Sequence, residues 1–262
     1  KCEAKSGLKG AKIELPMISV GATENIIMAA SLAKGETEIR NIATEPEIID
    51  LIDCLKSMGA QIEVQSDRKV LIQGVESLNG TTHSVIPDRI ETGTYIIAGL
   101  ITKGALQIKN VNFDHIANLL SVFENLELNI TRENNNLIVK ESSVSKNISL
   151  DTKEYPGFPT DLQAQIMVLL SLSKNASTIR ENIFENRFMH VPELNRMGAD
   201  ININGSQATI NPCNGFSGAQ VMATDLRASV SLVLASLIAK GETTKNRVYH
   251  LDRGYENLEN KL

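Results

Sequence analysis

Four stretches of this chain repeat one pattern, and that repetition limits the available folds more than any other feature of the sequence. Each has a threonine, about three helical turns of apolar residues, and usually a Lys-Gly type stop followed by a strand. The stretches are Thr23 with ENIIMAASLAKGETEI, Thr92 with GTYIIAGLITKGALQI, Thr160 with DLQAQIMVLLSLSKNASTI and Thr224 with DLRASVSLVLASLIAKGETT, at nearly even intervals. A second helical segment follows in Pro46–Gly59, His115–Leu126 and Pro192–Gly198, and then two short alternating strands such as Gln61–Gln65 and Val70–Val75. Gly59 and Gly198 stand where a helix end calls for a left-handed residue. The unit reads strand–helix–strand–helix–strand–strand, βαβαββ, with copies beginning near Ala11, Thr82, Ile148 and Ala219 and the fourth stopping inside its second helix.

The first helix of each copy is apolar almost all the way round, as in Ile26–Ala30 and Ser231–Ile238. Such a helix needs cover on every side. Strands such as Lys12–Leu15 alternate, so one face of each sheet meets water. The expected architecture is therefore an inside-out α/β fold, with buried helices and outer sheets. Aromatic residues are 4% of the chain and Trp is absent, so the aliphatic residues of these helices must supply most of the core. Val85–Arg89, between the first two copies, is the best candidate hinge.

The net charge of −5 argues against a general affinity for nucleic acid or an anionic membrane. An anionic substrate would have to be held by a few placed arginines. Cys2, Cys54 and Cys213 are far apart without CxxC spacing, which suits a reduced cytoplasmic protein and neither a disulfide framework nor a zinc site. No stretch has the length of a membrane span, and no secretory signal opens the chain. Lys1 in place of an initiator Met, and the open helical pattern of Tyr255–Leu262, lead us to expect a piece of a longer product, cut at both ends.

A short Gly, Ser, Pro or Asp-rich loop precedes each first helix: Ser19–Thr23, Asp88–Gly93, Gly157–Asp161 and Met222–Asp225. Free N–H groups and the positive dipole end make such loops anion sites. For any single loop, ordinary N-capping is the stronger reading. Asp161 opens an apolar helix with no basic residue three or four positions on, and so suits a base for a substrate hydroxyl. A plain dipole contribution explains it as well. Arg187, Arg227 and Arg253 are planar bidentate donors suited to a small polyanion. Structural ion pairs with Asp225, Asp252 or Glu185 compete with that reading. His190 and His250 read as structural, and Glu45 and Glu47 as first-turn acids. No Walker loop, GxGxxG or HExxH is present.

Six segments run in one order through the chain: Pro16–Thr23, Ile86–Thr94, Phe158–Gln165, Phe184–Leu194, Ser217–Ser229 and His250–Glu256. Together they resemble the successive signatures of the UDP-N-acetylglucosamine 1-carboxyvinyltransferase family. The resemblance implies two inside-out domains of βαβαββ units, with residues 1–86 belonging to the first and 87–262 to most of the second. It implies transfer of the enolpyruvyl group of phosphoenolpyruvate to the 3-hydroxyl of UDP-N-acetylglucosamine, with loss of phosphate through a tetrahedral ketal, and without a cofactor or metal. On this resemblance Asp161 is the base near that hydroxyl, with Ile183 and Phe184 beside it. Met17, Ile18, Ser19, Val20 and Gly21 form the loop for the uridine diphosphate portion. Arg227 and Arg253 close on the carboxylate and phosphate of phosphoenolpyruvate, and Arg187 lines the same wall.

Two departures are visible. Some members of the family carry Lys where Met17 stands. The family's early Lys-Asn pair and its mobile loop with a catalytic cysteine precede the segment present here, and Cys2 matches a later strand, so the chain alone is expected to be inactive. The alternatives are a 5-enolpyruvylshikimate-3-phosphate synthase-like enzyme and a non-catalytic remnant of the fold.

Overall fold

The computed structural model of the chain describes residues 4–223 and 225–262, so Cys2 and the repeat threonine Thr224 lie outside the described residues. Contacts divide the chain into two units, Lys1–Ile86 with Glu154–Pro156, and Pro87–Lys153 with Gly157–Leu262.

The first unit contains one complete repeat: β1 (Lys12–Glu14), α1 (Val20–Ala30), β2 (Glu36–Arg40), α2 (Pro46–Ser57), β3 (Gln61–Gln65) and β4 (Lys69–Gln73). The sheet runs β1-β2-β4-β3, with β1 parallel to β2 and the other pairs antiparallel. Pro46 begins α2, where a missing N–H costs nothing, and Ile48, Ile52 and Leu55 form its buried stripe. Gly59 ends it at φ +104°, and Gly198 ends the matching helix of the other unit at φ +102°. Glu154–Pro156 joins this unit because Glu45 accepts the Tyr155 N–H and Arg68 donates to the Tyr155 carbonyl.

The second unit starts with α3 (Arg89–Ile101), β5 (Leu106–Ile108), a 3-10 turn at Asp114–Ile116, α4 (Ala117–Asn125), β6 (Ile130–Glu133) and β7 (Asn136–Val139). Next come β8 (Ser149–Asp151), a 3-10 turn at Thr160–Leu162, α5 (Gln163–Ser171), β9 (Ser177–Arg180), α6 (Val191–Arg196), β10 (Asp200–Asn204) and β11 (Gln207–Asn211). The last elements are β12 (Gln220–Met222), α7 (Ala228–Ile238), β13 (Thr244–Asn246), a 3-10 turn at Val248–His250 and α8 (Leu258–Lys261). Among the described residues three sheets form in this unit, ordered β5-β7-β6, β10-β11-β9-β8 and β12-β13.

Helices α3, α5 and α7 pack on one another, and the sheets take the outside. Every residue of α5 is buried, including Gln163, Gln165 and Ser171. Complete burial of Ile166, Met167, Leu169 and Leu170 is each worth about 1.5–3 kcal/mol of transfer free energy. Gly93 lets α3 approach the Thr160–Leu162 turn. A Cβ there would stand 2.6 Å from Leu162 Cδ1 and 2.8 Å from Leu119 Cδ2.

Two expectations fail in informative ways. Helix α1 is not covered on every side: its buried residues are Thr23, Ile27 and Ala30, while Met28 is 44% exposed. It packs on α2 and β4, whereas each central helix of the second unit has at least two helical neighbours. The copy expected from Thr82 also lacks its leading strand, since among the described residues Thr82–Pro87 forms none. Val85 is 79% exposed there, so alternation in this segment buries nothing, and Pro87 cannot donate to a ladder.

Candidate active site

The loops before the first helices were expected either to cap them or to bind anions. Three are caps. The Ser19 hydroxyl accepts the Ala22 N–H at the start of α1. Asp88 Oδ1 accepts the N–H groups of Ile90 at 2.7 Å and Glu91 at 3.1 Å at the start of α3. Asp225 Oδ1 accepts the Ala228 N–H at the start of α7. Asp161 differs: its helix is entered through a 3-10 turn with no side-chain cap, and its carboxylate faces two arginines.

Arg187 Nη2 stands 2.5 Å from Asp161 Oδ1, and Arg227 Nε stands 3.7 Å from Asp161 Oδ2. Arg227 Nη2 also pairs with Asp88 Oδ2 at 3.0 Å. The starts of α3, α5 and α7 are therefore joined by one charge chain, Asp88–Arg227–Asp161–Arg187. Both guanidinium groups are mostly buried, while the two aspartates are each 37% exposed at the side chain. Burial opposes the Arg227 charge, but Asp88, together with Asp161, more than offsets this and its pKa stands above the usual arginine range.

Arg227 is held from three directions. It stands at the entry to α7, its Nη1 donates to the Gly254 carbonyl, and its guanidinium lies 5.5 Å from the centre of the Tyr255 ring. Its Nε has no hydrogen-bond partner. Beneath it, the Tyr255 hydroxyl meets Thr94 Oγ1 at 2.9 Å, and Gln165 Nε2 donates to the Asp161 carbonyl at 2.8 Å and to the Tyr255 oxygen at 3.3 Å. Burial raises the Tyr255 pKa, so the ring keeps its proton and remains a hydrogen-bonding member of this layer.

Arg187 is fixed as tightly. Nη1 donates to Thr160 Oγ1 at 2.8 Å, Nη2 faces Asp161, and the guanidinium lies 4.8 Å from the Phe184 ring centre. The Ile183 and Phe184 N–H groups both donate to Glu181 Oε1. The Phe184 side chain itself is 55% exposed.

The structure thus brings together Asp161, Arg187, Arg227 and the Ile183–Phe184 segment. It corrects the ion pairs expected for the arginines. Arg187 and Arg227 pair with Asp161 and Asp88, and neither pair includes Asp225, Asp252 or Glu185. Arg227 stands at the entrance of α7. Arg253 is exposed, makes no ion pair among the described residues, and has His250 Nδ1 at 3.5 Å. Met17, Ile18, Ser19, Val20 and Gly21 lie in the first unit, where Met17 is 65% exposed and Val20 and Gly21 open α1. His190 is structural: burial pushes its pKa down to about 3, and Nε2 meets Met167 Sδ. Sequence reasoning missed Glu181, Tyr255, Thr94 and Gln165 as members of the site, and Asp88 as the partner of Arg227.

Among the described residues no group of three or more His, Cys, Asp or Glu is placed to hold a metal ion, and no helix is long and apolar enough to cross a membrane.

A sequence profile described as EPSP synthase (3-phosphoshikimate 1-carboxyvinyltransferase) matches residues 1–262. A UDP-N-acetylglucosamine 1-carboxyvinyltransferase of Granulibacter bethesdensis is 54% identical over 97% of this chain and 61% of its own length. Its counterpart from Gluconacetobacter diazotrophicus is 54% identical over 99% of this chain and 62% of its own length. The chain therefore spans about three-fifths of these relatives. Among solved structures, the enolpyruvyl transferase NikO from Streptomyces tendae superposes with a TM-score of 0.89 at 25% identity, covering 98% of this chain and 64% of that one. EPSP synthase from Acinetobacter baumannii shares the fold, with a TM-score of 0.70 at 16% identity over 95% of this chain and 61% of that one.

Proposed function

The chain belongs to the EPSP synthase (3-phosphoshikimate 1-carboxyvinyltransferase) family, and from that premise we propose that it is part of a cytoplasmic enzyme that transfers the enolpyruvyl group of phosphoenolpyruvate to the 3-hydroxyl of UDP-N-acetylglucosamine. The reaction releases phosphate and supplies peptidoglycan precursor synthesis, and with it cell-wall growth, shape and division. Residues 1–86 are proposed as the later part of a first inside-out domain and 87–262 as most of a second.

One observation carries this reading: the carboxylate of Asp161 is held between the guanidinium groups of Arg187 and Arg227 at the mouth of an apolar helix. Asp161 would take the proton of the acceptor hydroxyl. The hydroxyl oxygen then bonds to the vinyl carbon bearing the phosphate, while the methylene carbon gains a proton. Loss of that proton and departure of phosphate from the resulting ketal restore the vinyl group. No residue of this chain is assigned to the proton exchanged at the methylene carbon. Arg227 and Arg253 would hold the carboxylate and phosphate and offset the charge that shifts during addition and phosphate loss. Met17–Gly21 would bind the diphosphate through N–H groups at the start of α1.

Phosphate release by the complete gene product tests this. Release is expected with phosphoenolpyruvate and UDP-N-acetylglucosamine together, and not when shikimate 3-phosphate replaces the sugar nucleotide. The reverse preference would assign the sister reaction, and no release with either acceptor would leave a non-catalytic member of the family.

A further inference from the structure

We propose that Glu181 is a positioning residue that sets Arg187, and through it Asp161. This rests on the reading of Asp161 as the base. Glu181 follows β9 and is 3% exposed, a depth at which an acidic side chain is kept only when its oxygens are satisfied. Both are. Oε1 accepts the N–H groups of Ile183 at 2.9 Å and Phe184 at 3.1 Å, and Oε2 accepts the Thr160 hydroxyl at 2.8 Å.

The direction of each bond fixes the next. A carboxylate meeting three donors acts as an acceptor throughout, so the Thr160 hydroxyl hydrogen must point at Glu181. Its lone pairs are then left for Arg187 Nη1 at 2.8 Å, since a guanidinium can only donate. With Nη1 fixed on Thr160, the rigid fork of the same group places Nη2 on Asp161. Phe184, carried by the segment that Glu181 ties down, covers the guanidinium from the side. One buried carboxylate therefore sets the polarity of a hydroxyl, the rotation of an arginine and the course of the Ile183–Phe184 main chain. Glu181 touches no reacting atom in this scheme. It acts only through Thr160 and Arg187.

Two substitutions break the relay at different points. Glu181→Gln turns an amide donor toward Thr160 or toward the main-chain N–H groups. Thr160→Val deletes the hydroxyl and leaves the main-chain bonds of Glu181 in place. In the 15N-labelled chain the Arg187 Nη hydrogens are expected as separate signals, merging in both variants and staying separate in the conservative Thr160→Ser. In the complete gene product each of the two variants is expected to lower kcat by about 10²-fold, with a much smaller change in KM. The double variant is expected to be no slower than either single one, because both cut the same chain.

Arg187 signals that stay separate in both variants, or losses that add in the double variant, would overturn the proposal. Should Glu181→Gln fail to fold, Thr160→Val carries both readouts. A wild-type gene product without turnover would remove the enzymatic reading, while the Arg187 signals still decide for or against the relay.

Discussion

Asp88 performs two tasks that substitution can separate. Oδ1 caps α3 through Ile90 and Glu91, and Oδ2 pairs with Arg227 at 3.0 Å. Losing an N-cap typically costs about 1 kcal/mol. A charge-assisted hydrogen bond contributes about 1.5–3 kcal/mol. The Asp88 side chain is 37% exposed and the Arg227 side chain 17%, so solvent screening lowers the second figure to about 1–2 kcal/mol. Asp88→Ala loses both and is expected to cost about 2–3 kcal/mol. Asp88→Asn keeps the capping oxygen and loses the charge, and is expected to cost about 1–2 kcal/mol. Urea unfolding of the chain followed by far-UV circular dichroism measures both, with an unchanged slope showing that only stability has moved. Added salt should narrow the gap between wild type and Asp88→Asn but not the gap between Asn and Ala. An Asn variant as stable as wild type would refute the ion-pair argument, and equal losses in the two variants would refute the capping argument.

Lys245 gives a pH signature. Burial lowers its pKa from the ordinary 10.5 to about 7, against an opposing pull from Asp252, while Nζ donates to the Ser229 carbonyl at 2.6 Å. Because the folded state holds this proton less tightly than the unfolded chain, stability should rise between about pH 7 and pH 10.5 and be flat below. Lys245→Met should remove that rise and be the more stable form near pH 7, as paired denaturant titrations would show. Gly93→Ala puts a methyl group within 2.8 Å of two leucine ends and should cost about 1–3 kcal/mol in the same unfolding assay. Arg253→Ala in the complete gene product should raise KM for phosphoenolpyruvate more than for the sugar nucleotide, and steady-state kinetics with each substrate varied would expose the opposite order.

Much of this was legible before any coordinates because the fold repeats itself. The apolar run Ile166–Leu170 admits one environment, and the structure buries every residue of it together with the rest of α5. The same pattern misled at α1, because periodicity states what a helix needs and not which neighbours are present. Met28 is exposed in the described structure even though its neighbour Ile27 is fully buried. Asp161 stood out because no nearby basic residue answered it, and its partners come from 26 and 66 positions further on. Long-range pairs of this kind leave no local trace. Glu181 was invisible for the same reason: an acid after a strand reads as surface until the fold turns Thr160 and two N–H groups toward it.

The most direct measurement of the central claim is phosphate release by the complete gene product carrying Asp161→Ala, with its fold verified by circular dichroism and both substrates saturating. A fall of about 10²–10⁴-fold is expected if the carboxylate held by Arg187 and Arg227 takes the acceptor proton. Turnover close to wild type would contradict that role and leave the charge chain as a structural clamp on three helix starts.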